Sequence, residues 1–133
     1  KDDALQDPLV SEEHIITFGW ASQNELDEIT SLALRVNDFL AGYFSAIKIQ
    51  LVDFKIEFGR LYKNDEVYVV LADEISPDSC RLWDSQTKQK MDKDVYRENS
   101  GYLLDGYNEV AKRMGLLTQN GASKNKKPTL VKG

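Results

Sequence analysis

The stretch that decides the fold is Leu51-Val52-Asp53-Phe54-Lys55-Ile56-Glu57-Phe58-Gly59. Side chains of a β-strand alternate between its two faces, so an extended conformation puts Phe54, Ile56 and Phe58 on one face and Asp53, Lys55 and Glu57 on the other. The apolar face is suited to a core. The other face carries an acid, a base and an acid, about 7 Å apart along the strand. Carboxylates on a rigid strand beside a lysine are what binding Mg²⁺ and a phosphate requires.

A second strand is predicted over residues 66–72, where β-branched residues are frequent. The polar segment Tyr62-Lys63-Asn64-Asp65 separates the two strands, which predicts an antiparallel hairpin. Asp73 follows the second strand. It shares the charged face of the first strand if paired residue numbers add up to an even value, or if a bulge has the same effect. A one-residue slip would put it on the opposite face.

Two amphipathic helices are predicted beside this hairpin. Residues 22–25, Ser-Gln-Asn-Glu, have the form of a capping box, and apolar residues then recur at helical spacing. This pattern predicts a helix over about residues 24–44 with one buried stripe. The stripe consists of Leu26, Ile29, Leu32, Ala33, Val36, Phe39, Leu40 and Tyr43. The second helix contains residues 103–114 and ends at Gly115.

The remaining segments are predicted to be shorter or irregular. Ser11 caps a single helical turn, and Asp92 caps a short helix through Arg97. Residues 75–90 contain one proline and little periodicity, which predicts a loop rich in polar and charged side chains. The fold class is therefore α/β of the α+β type, with a mainly antiparallel sheet packed by amphipathic helices.

Composition limits the classes of partner. The chain has 133 residues, of which 41% are hydrophobic, and these values fit one globular domain. No segment has the roughly 18 consecutive apolar residues of a membrane span, so no membrane partner is expected. The net charge of −5 argues against a nucleic-acid partner, whose phosphates would be repelled. Cys80 is the single cysteine, which indicates a small core residue and a reducing compartment, the cytoplasm.

The same residues also carry a resemblance to a known enzyme family. Residues 51–59 resemble the second signature of phosphoribosylaminoimidazole-succinocarboxamide synthase (SAICAR synthetase), a family of ligases in purine biosynthesis. Further segments resemble other motifs of that family in the same order and spacing. These segments are Lys1–Pro8, Leu71–Asp78, Cys80–Asp84 and Met91–Asp94. The match runs from Lys1 to about Leu117.

The resemblance implies a two-lobe, ATP-dependent ligase. Residues 1–117 correspond to its C-terminal catalytic and substrate lobe. The composition of residues 118–133 separately predicts a polar, basic and mobile tail. The family's chains are roughly twice as long and begin with a β-rich lobe that covers the nucleotide. That N-terminal lobe is the expected protein partner, and without it the 133-residue chain is expected to be inactive. The sequence does not determine the oligomeric state, and a homo-oligomer is one of the possibilities.

The implied reaction joins L-aspartate to 5-amino-1-(5-phosphoribosyl)imidazole-4-carboxylate. ATP activates the imidazole carboxylate as an acyl phosphate, and the products are the succinocarboxamide, ADP and phosphate. The implied Mg²⁺ ligands, which also hold ATP through the metal, are Glu57 and Asp73. The implied catalytic residues are Lys55 and Asp53, and the implied substrate-binding residues are Arg81, Asp78, Asp7 and Lys1.

Each assignment has a simpler alternative. Glu57 and Asp73 are also explained as exposed carboxylates at strand edges. Asp53 and Lys55 are explained as a surface ion pair, worth at most about 1 kcal/mol. In the corresponding alternative for Arg81, its side chain pairs with Asp78 or Asp84 and makes the loop more rigid.

Two other functions stay open at this point. The tripeptide Asp53-Phe54-Lys55, followed along the chain by Asp73, resembles a kinase-like phosphotransferase. That pattern leaves residues 76–84 without a role. A catalytically silent binding domain is the second alternative.

Overall fold

The computed structural model describes Ala4 and residues 8–98 and 101–117. The predicted tail, residues 118–133, lies outside the residues that the structure describes. The helices are α1 (Glu12–Thr17), α2 (Gln23–Ala46), α3 (Asp94–Arg97) and α4 (Leu103–Arg113). The strands are β1 (Ile49–Phe54), β2 (Glu57–Lys63), β3 (Glu66–Ala72) and β4 (Cys80–Asp84). Helices and antiparallel strands occur together, which confirms the predicted α+β class. None of the helices in the described ranges is long and apolar enough to cross a membrane.

Local signals in the sequence account for the helix ends. Ser22 Oγ accepts a hydrogen bond from the backbone N–H of Glu25, and the backbone N–H of Ser22 donates to Glu25 Oε2 at 2.8 Å. This reciprocal pair is the predicted capping box. Ser11 and His14 form the same arrangement at the start of α1. At the other end of the chain, Gly115 has a φ of +75°, as the predicted stop of α4 requires.

The signature at residues 51–59 does not form one strand, contrary to the prediction. It is divided between two separate two-stranded sheets, because β1 pairs with β4 while β2 pairs with β3. A bulge between Leu51 and Asp53 bends β1, and the N–H of Lys55 then donates to Ser79 O at 2.8 Å. Strand β4 also lies inside the segment 75–90, so the prediction of a continuous loop there is wrong.

The predicted hairpin is present as β2 and β3, but its register is odd. Glu57 lies opposite Ala72, and Lys63 lies opposite Glu66. Asn64 and Asp65 both have positive φ, as a two-residue type I′ turn requires, and this turn length sets the register. The even register, which the shared face of Glu57 and Asp73 would require, is therefore not formed, and a continued β3 would carry Asp73 to the face opposite Glu57. The strand ends first, because Asp73 has a φ of +67°.

The core lies between α2, the β1–β4 pair and α4. Its buried members are Leu40, Phe44, Ile49, Cys80, Leu82, Met91 and Val110. Cys80 is thus the core residue that was predicted, and burial raises the pKa of its thiol. The predicted stripe on α2 is too wide, since the Phe39 side chain is 69% exposed and stacks against Tyr43 instead of entering the core.

Two arginines form hydrogen bonds that connect helices α2 and α4 to the strands. Arg60 on β2 donates to Glu25 Oε1 at 2.6 Å and to Trp20 O at 2.9 Å, and its guanidinium lowers the pKa of Glu25 to about 2. Arg113 on α4 donates to Asp84 Oδ2 at 2.7 Å and to Lys48 O at 2.8 Å. The second set of bonds ties the last turn of α4 to β4 and to the turn before β1.

Gly106 allows α4 to approach the chain at Met91. A Cβ atom at position 106 would lie 3.0 Å from Met91 Cα and 3.1 Å from its carbonyl carbon and oxygen. Gly106→Ala is therefore expected to destabilise the fold by about 1 kcal/mol or more, because steric strain exceeds the usual gain in helix propensity. Gly42→Ala on α2 is the matched control. A Cβ there meets nothing within 4 Å, and the change should stabilise by about 0.5–1 kcal/mol. Denaturant unfolding measures the free energy of unfolding of both variants. Stabilisation by Gly106→Ala would contradict the close approach of α4 to the backbone of Met91.

Candidate active-site cleft

A cleft of about 340 Å³ lies where the end of β1 and the start of β4 meet the segment before α3. Four of the predicted site residues line it together: Asp53, Lys55, Asp78 and Arg81. The cleft therefore brings together four predicted residues that are up to 28 positions apart in sequence. The other predicted pair, Glu57 and Asp73, is not part of its lining.

The pairing of β1 with β4 positions the two central residues. Asp53 lies opposite Arg81 in the ladder, and Arg81 Nη1 donates to Asp53 Oδ2 at 2.5 Å. Arg81 Nε donates to Asp94 Oδ2 at 2.9 Å. These two bonds raise the pKa of Arg81, so the guanidinium stays charged. The alternative in which Arg81 pairs with Asp78 or Asp84 is therefore not what forms, and the residue lies on a strand and not in the predicted loop.

Lys55 forms its ion pair with Glu57 and not with Asp53. Its Nζ lies 2.6 Å from Glu57 Oε1, while Asp53 is engaged by Arg81. The alternative of a surface ion pair between Asp53 and Lys55 is therefore not formed. The Lys55 side chain is 65% exposed, so an anion in the cleft can reach its ammonium group from solvent.

Asp94 joins two arginines at the edge of the cleft. Besides Arg81, it accepts a hydrogen bond from Arg97 Nη1 at 2.9 Å. Arg97 and then Arg81 lower the pKa of the Asp94 carboxyl. Because an arginine fork matches the geometry of carboxylates and phosphates, this pair of guanidinium groups is suited to an anionic ligand.

Asp92 has a structural role that differs from the predicted one. The residue preceding α3 is Lys93, which makes no side-chain cap, so Asp92 is not the N-cap. Its buried carboxylate accepts from the N–H of Leu82 at 2.7 Å and from the N–H of Asp94 at 2.8 Å. Burial raises its pKa although both hydrogen bonds act in the other direction. Asp92 thereby holds the segment before α3 against β4.

Asp78 lies in the turn between β3 and β4. Its own N–H donates to Ser76 Oγ at 3.1 Å, and its Oδ1 accepts from the hydroxyl of Tyr107 at 2.6 Å. Lys93 Nζ is 3.9 Å from the same oxygen. The turn is also joined to the cleft by its backbone, because the N–H of Lys93 donates to Pro77 O at 3.2 Å.

The cleft contains more cations than sequence reasoning identified. Lys93 and Arg97 line it in addition to Lys55 and Arg81. Sequence reasoning gave Arg97 only the end of a short helix and Lys93 only membership of a motif. The signal that was available is the charged triplet Asp92-Lys93-Asp94, followed by Arg97. Tyr107 belongs to the second predicted amphipathic helix, and no sequence signal indicates its bond to Asp78.

The predicted metal ligands supply two carboxylates. Glu57 is partly buried, with 25% of its side chain exposed, and Asp73 immediately follows β3. Among residues 8–98 and 101–117, no three acids, histidines or cysteines lie together as a metal-binding group. Mg²⁺ in phosphate-transfer sites often takes only one or two protein carboxylates and completes its shell with water and phosphate. Two carboxylates are enough protein ligands for such an ion, and the assignment of Glu57 and Asp73 as its ligands stays a prediction. Lys1 and Asp7 lie outside the described residues.

Comparison with known proteins adds an independent line of evidence. The family model described as SAICAR synthetase matches residues 1–114. The chain belongs to the SAICAR synthetase family. The resemblance of its motifs is thereby confirmed.

Individual relatives agree with this family assignment. The phosphoribosylaminoimidazole-succinocarboxamide synthase of Sinorhizobium medicae is 60% identical over 132 residues, covering 99% of this chain and 52% of that protein. The crystal structure of the synthase from Ehrlichia chaffeensis has a TM-score of 0.83 at 47% identity, covering 89% of this chain and 50% of the other. A type-2 SAICAR synthetase in complex with ADP has a TM-score of 0.79 at 42% identity. The chain spans about half the length of the relatives it matches.

Acid should weaken the contribution of Asp94 to stability. Its pKa in the folded chain is below the ordinary 3.8, so the ionised carboxylate stabilises the fold above that pH, and this stabilisation is lost as the pH falls through the folded pKa. Asp94→Asn should therefore lower the free energy of unfolding at neutral pH, and the difference from the unchanged chain should shrink below pH 3.8. Denaturant unfolding at several pH values measures it. Asp65→Asn, in the hairpin turn, is the control, and equal pH profiles for the two variants would contradict the role of Asp94.

Proposed function

We propose that this chain is the C-terminal catalytic lobe of an ATP-dependent ligase. The reaction joins L-aspartate to the carboxylate of 5-amino-1-(5-phosphoribosyl)imidazole-4-carboxylate. The observation that supports it best is the convergence of Asp53, Lys55, Asp78 and Arg81 on one cleft, in a chain of the SAICAR synthetase family. If Asp53 and Lys55 formed only a surface ion pair, and Arg81 only stabilised a loop, these four residues would not need to line the same cavity.

The proposed chemistry begins with activation of a poor acyl donor. A carboxylate oxygen of the imidazole substrate attacks the γ-phosphorus of ATP, the bond to the bridging oxygen breaks, and ADP leaves. The amine of aspartate then attacks the acyl carbon, and inorganic phosphate leaves with the C–O bond electrons. One proton of the amine must go to a base. Such transfers depend mainly on positioning and electrostatic stabilisation.

Within this scheme the residues of the cleft have separate roles. Lys55 offsets negative charge on the transferring phosphoryl oxygens, for which its exposed ammonium group is available. Asp53 receives the proton of the amine, directly or through water. Its 54% exposed side chain is in contact with solvent while Arg81 holds its orientation. Arg81 and Asp78 bind the ribonucleotide, the first through its guanidinium fork and the second as a hydrogen-bond acceptor.

Glu57 and Asp73 are the proposed ligands of Mg²⁺. Bound Mg²⁺ would neutralise phosphate oxygens of the nucleotide. The contact of Lys55 Nζ with Glu57 Oε1 supports a phosphoryl site beside the metal ligand in this proposal. The ADP complex of a type-2 SAICAR synthetase supports the use of ATP as co-substrate.

The reaction itself is tested by ADP release. A form of the protein as long as its relatives should release ADP only when ATP, Mg²⁺, the imidazole carboxylate and aspartate are all present. Release without aspartate would favour a kinase-like phosphotransferase, and no release in any mixture would favour a silent binding domain. The 133-residue chain assayed alone should be inactive, because its relatives are about twice as long and we assign the nucleotide-covering contacts to the other half.

The metal ligands are tested by the magnesium requirement of the same assay. Glu57→Gln and Asp73→Asn should each raise the Mg²⁺ concentration for half-maximal activity by about tenfold or more, since even outer-shell partners contribute that much to metal sites. Asn tolerates the left-handed backbone of residue 73, so the second change removes charge without strain.

Asp65→Asn is the matched control for the metal assay. It makes the same substitution at another left-handed position of the same hairpin, and it should leave the magnesium requirement unchanged. A requirement in Glu57→Gln and Asp73→Asn equal to that of the control would show that these acids do not hold the metal.

A further inference from the structure

We infer that Tyr107 on α4 is a positioning residue for the reaction: its hydroxyl holds the Asp78 carboxylate in place at the wall of the cleft. The inference rests on the proposed function, because that proposal assigns Asp78 to the ribonucleotide. Tyr107 itself does not line the cleft. It is therefore expected to act only through Asp78.

The geometry of the pair supports this role. The Tyr107 hydroxyl donates to Asp78 Oδ1 at 2.6 Å, a distance typical of a hydrogen bond to a carboxylate. Asp78 is 47% exposed and belongs to a turn, so no helix or strand restrains its side chain. A turn carboxylate facing solvent has several accessible rotamers, and the hydroxyl selects one of them.

The donor is held much more firmly than the acceptor. The ring of Tyr107 is half-buried on α4, and this helix is fixed at both sides of the residue. On one side, Gly106 packs against the backbone of Met91. On the other, Arg113 bonds to Asp84 and to Lys48 O. A helix fixed at both sides of Tyr107 thus presents the hydroxyl to an exposed carboxylate in a turn, which is the arrangement a positioning residue requires.

Loss of the hydroxyl would leave Asp78 close to a competing cation. Lys93 Nζ lies 3.9 Å from Asp78 Oδ1, beyond hydrogen-bond distance but near enough to attract the carboxylate. In Tyr107→Phe the Asp78 side chain should therefore turn towards Lys93. The ribonucleotide would lose an oriented acceptor, while ATP, which we assign to the hairpin acids and Lys55, would not.

The test combines kinetics with a signal from the carboxylate. Tyr107→Phe should raise the KM for the imidazole carboxylate about tenfold, the value of one charge-assisted hydrogen bond, and leave the KM for ATP unchanged. The double variant Tyr107→Phe with Asp78→Ala should be no worse than Asp78→Ala alone. The ¹³Cγ resonance of Asp78, assigned from Asp78→Asn, should shift in Tyr107→Phe. Tyr62→Phe, on β2, is the control and should change neither readout.

Each other outcome decides against the inference. An unmoved Asp78 resonance would mean that the hydrogen bond is absent in solution. A shifted resonance with unchanged KM would make the bond merely structural, and equal losses in both backgrounds would mean that Tyr107 acts elsewhere. Failure of the proposed function looks different, because the protein without substitutions would then fail to form the succinocarboxamide. In that case the role of Asp78, and with it the positioning role of Tyr107, would also be withdrawn.

Discussion

The antiparallel pairing of β1 with β4 is the constraint on which the rest of the structure depends. It places Asp53 opposite Arg81 and puts the core residues Ile49 and Leu82 between α2 and α4. The buried carboxylate of Asp92 extends this pairing, because it accepts hydrogen bonds from β4 and from the start of α3. A buried carboxylate is costly unless its hydrogen bonds are satisfied. Two backbone donors meet that requirement and hold Asp94 and Arg97 at the edge of the cleft.

The cleft neutralises much of its own charge. Arg81 forms ion pairs with Asp53 and Asp94. Asp94 also pairs with Arg97, and Lys55 pairs with Glu57. An incoming anion would therefore exchange one partner for another and would not meet an array of bare cations. This arrangement keeps the guanidinium groups oriented before any ligand arrives, which reduces the ordering required at binding.

Elements with a local cause were predicted correctly. The capping box at Ser22 and the helical spacing after it indicate α2, and the stop at Gly115 indicates the end of α4. The hairpin was also predicted. Its register was left open, because the register depends on a type I′ turn at Asn64 and Asp65, and the polar segment 62–65 did not by itself indicate which residues form the turn. Strand β4 was missed, since its five residues have no clear alternation and its partner lies about 30 positions earlier in the chain.

The sequence by itself determined the kinds of residue available for chemistry, their order and the family motifs that carry them. It also determined the helices, because capping and periodicity act within a few residues. Only the tertiary structure decided which charges meet: Asp53 with Arg81 rather than Lys55, and Asp78 with Tyr107. These partners are far apart along the chain, and their contact depends on strand pairing and helix packing that no local pattern encodes.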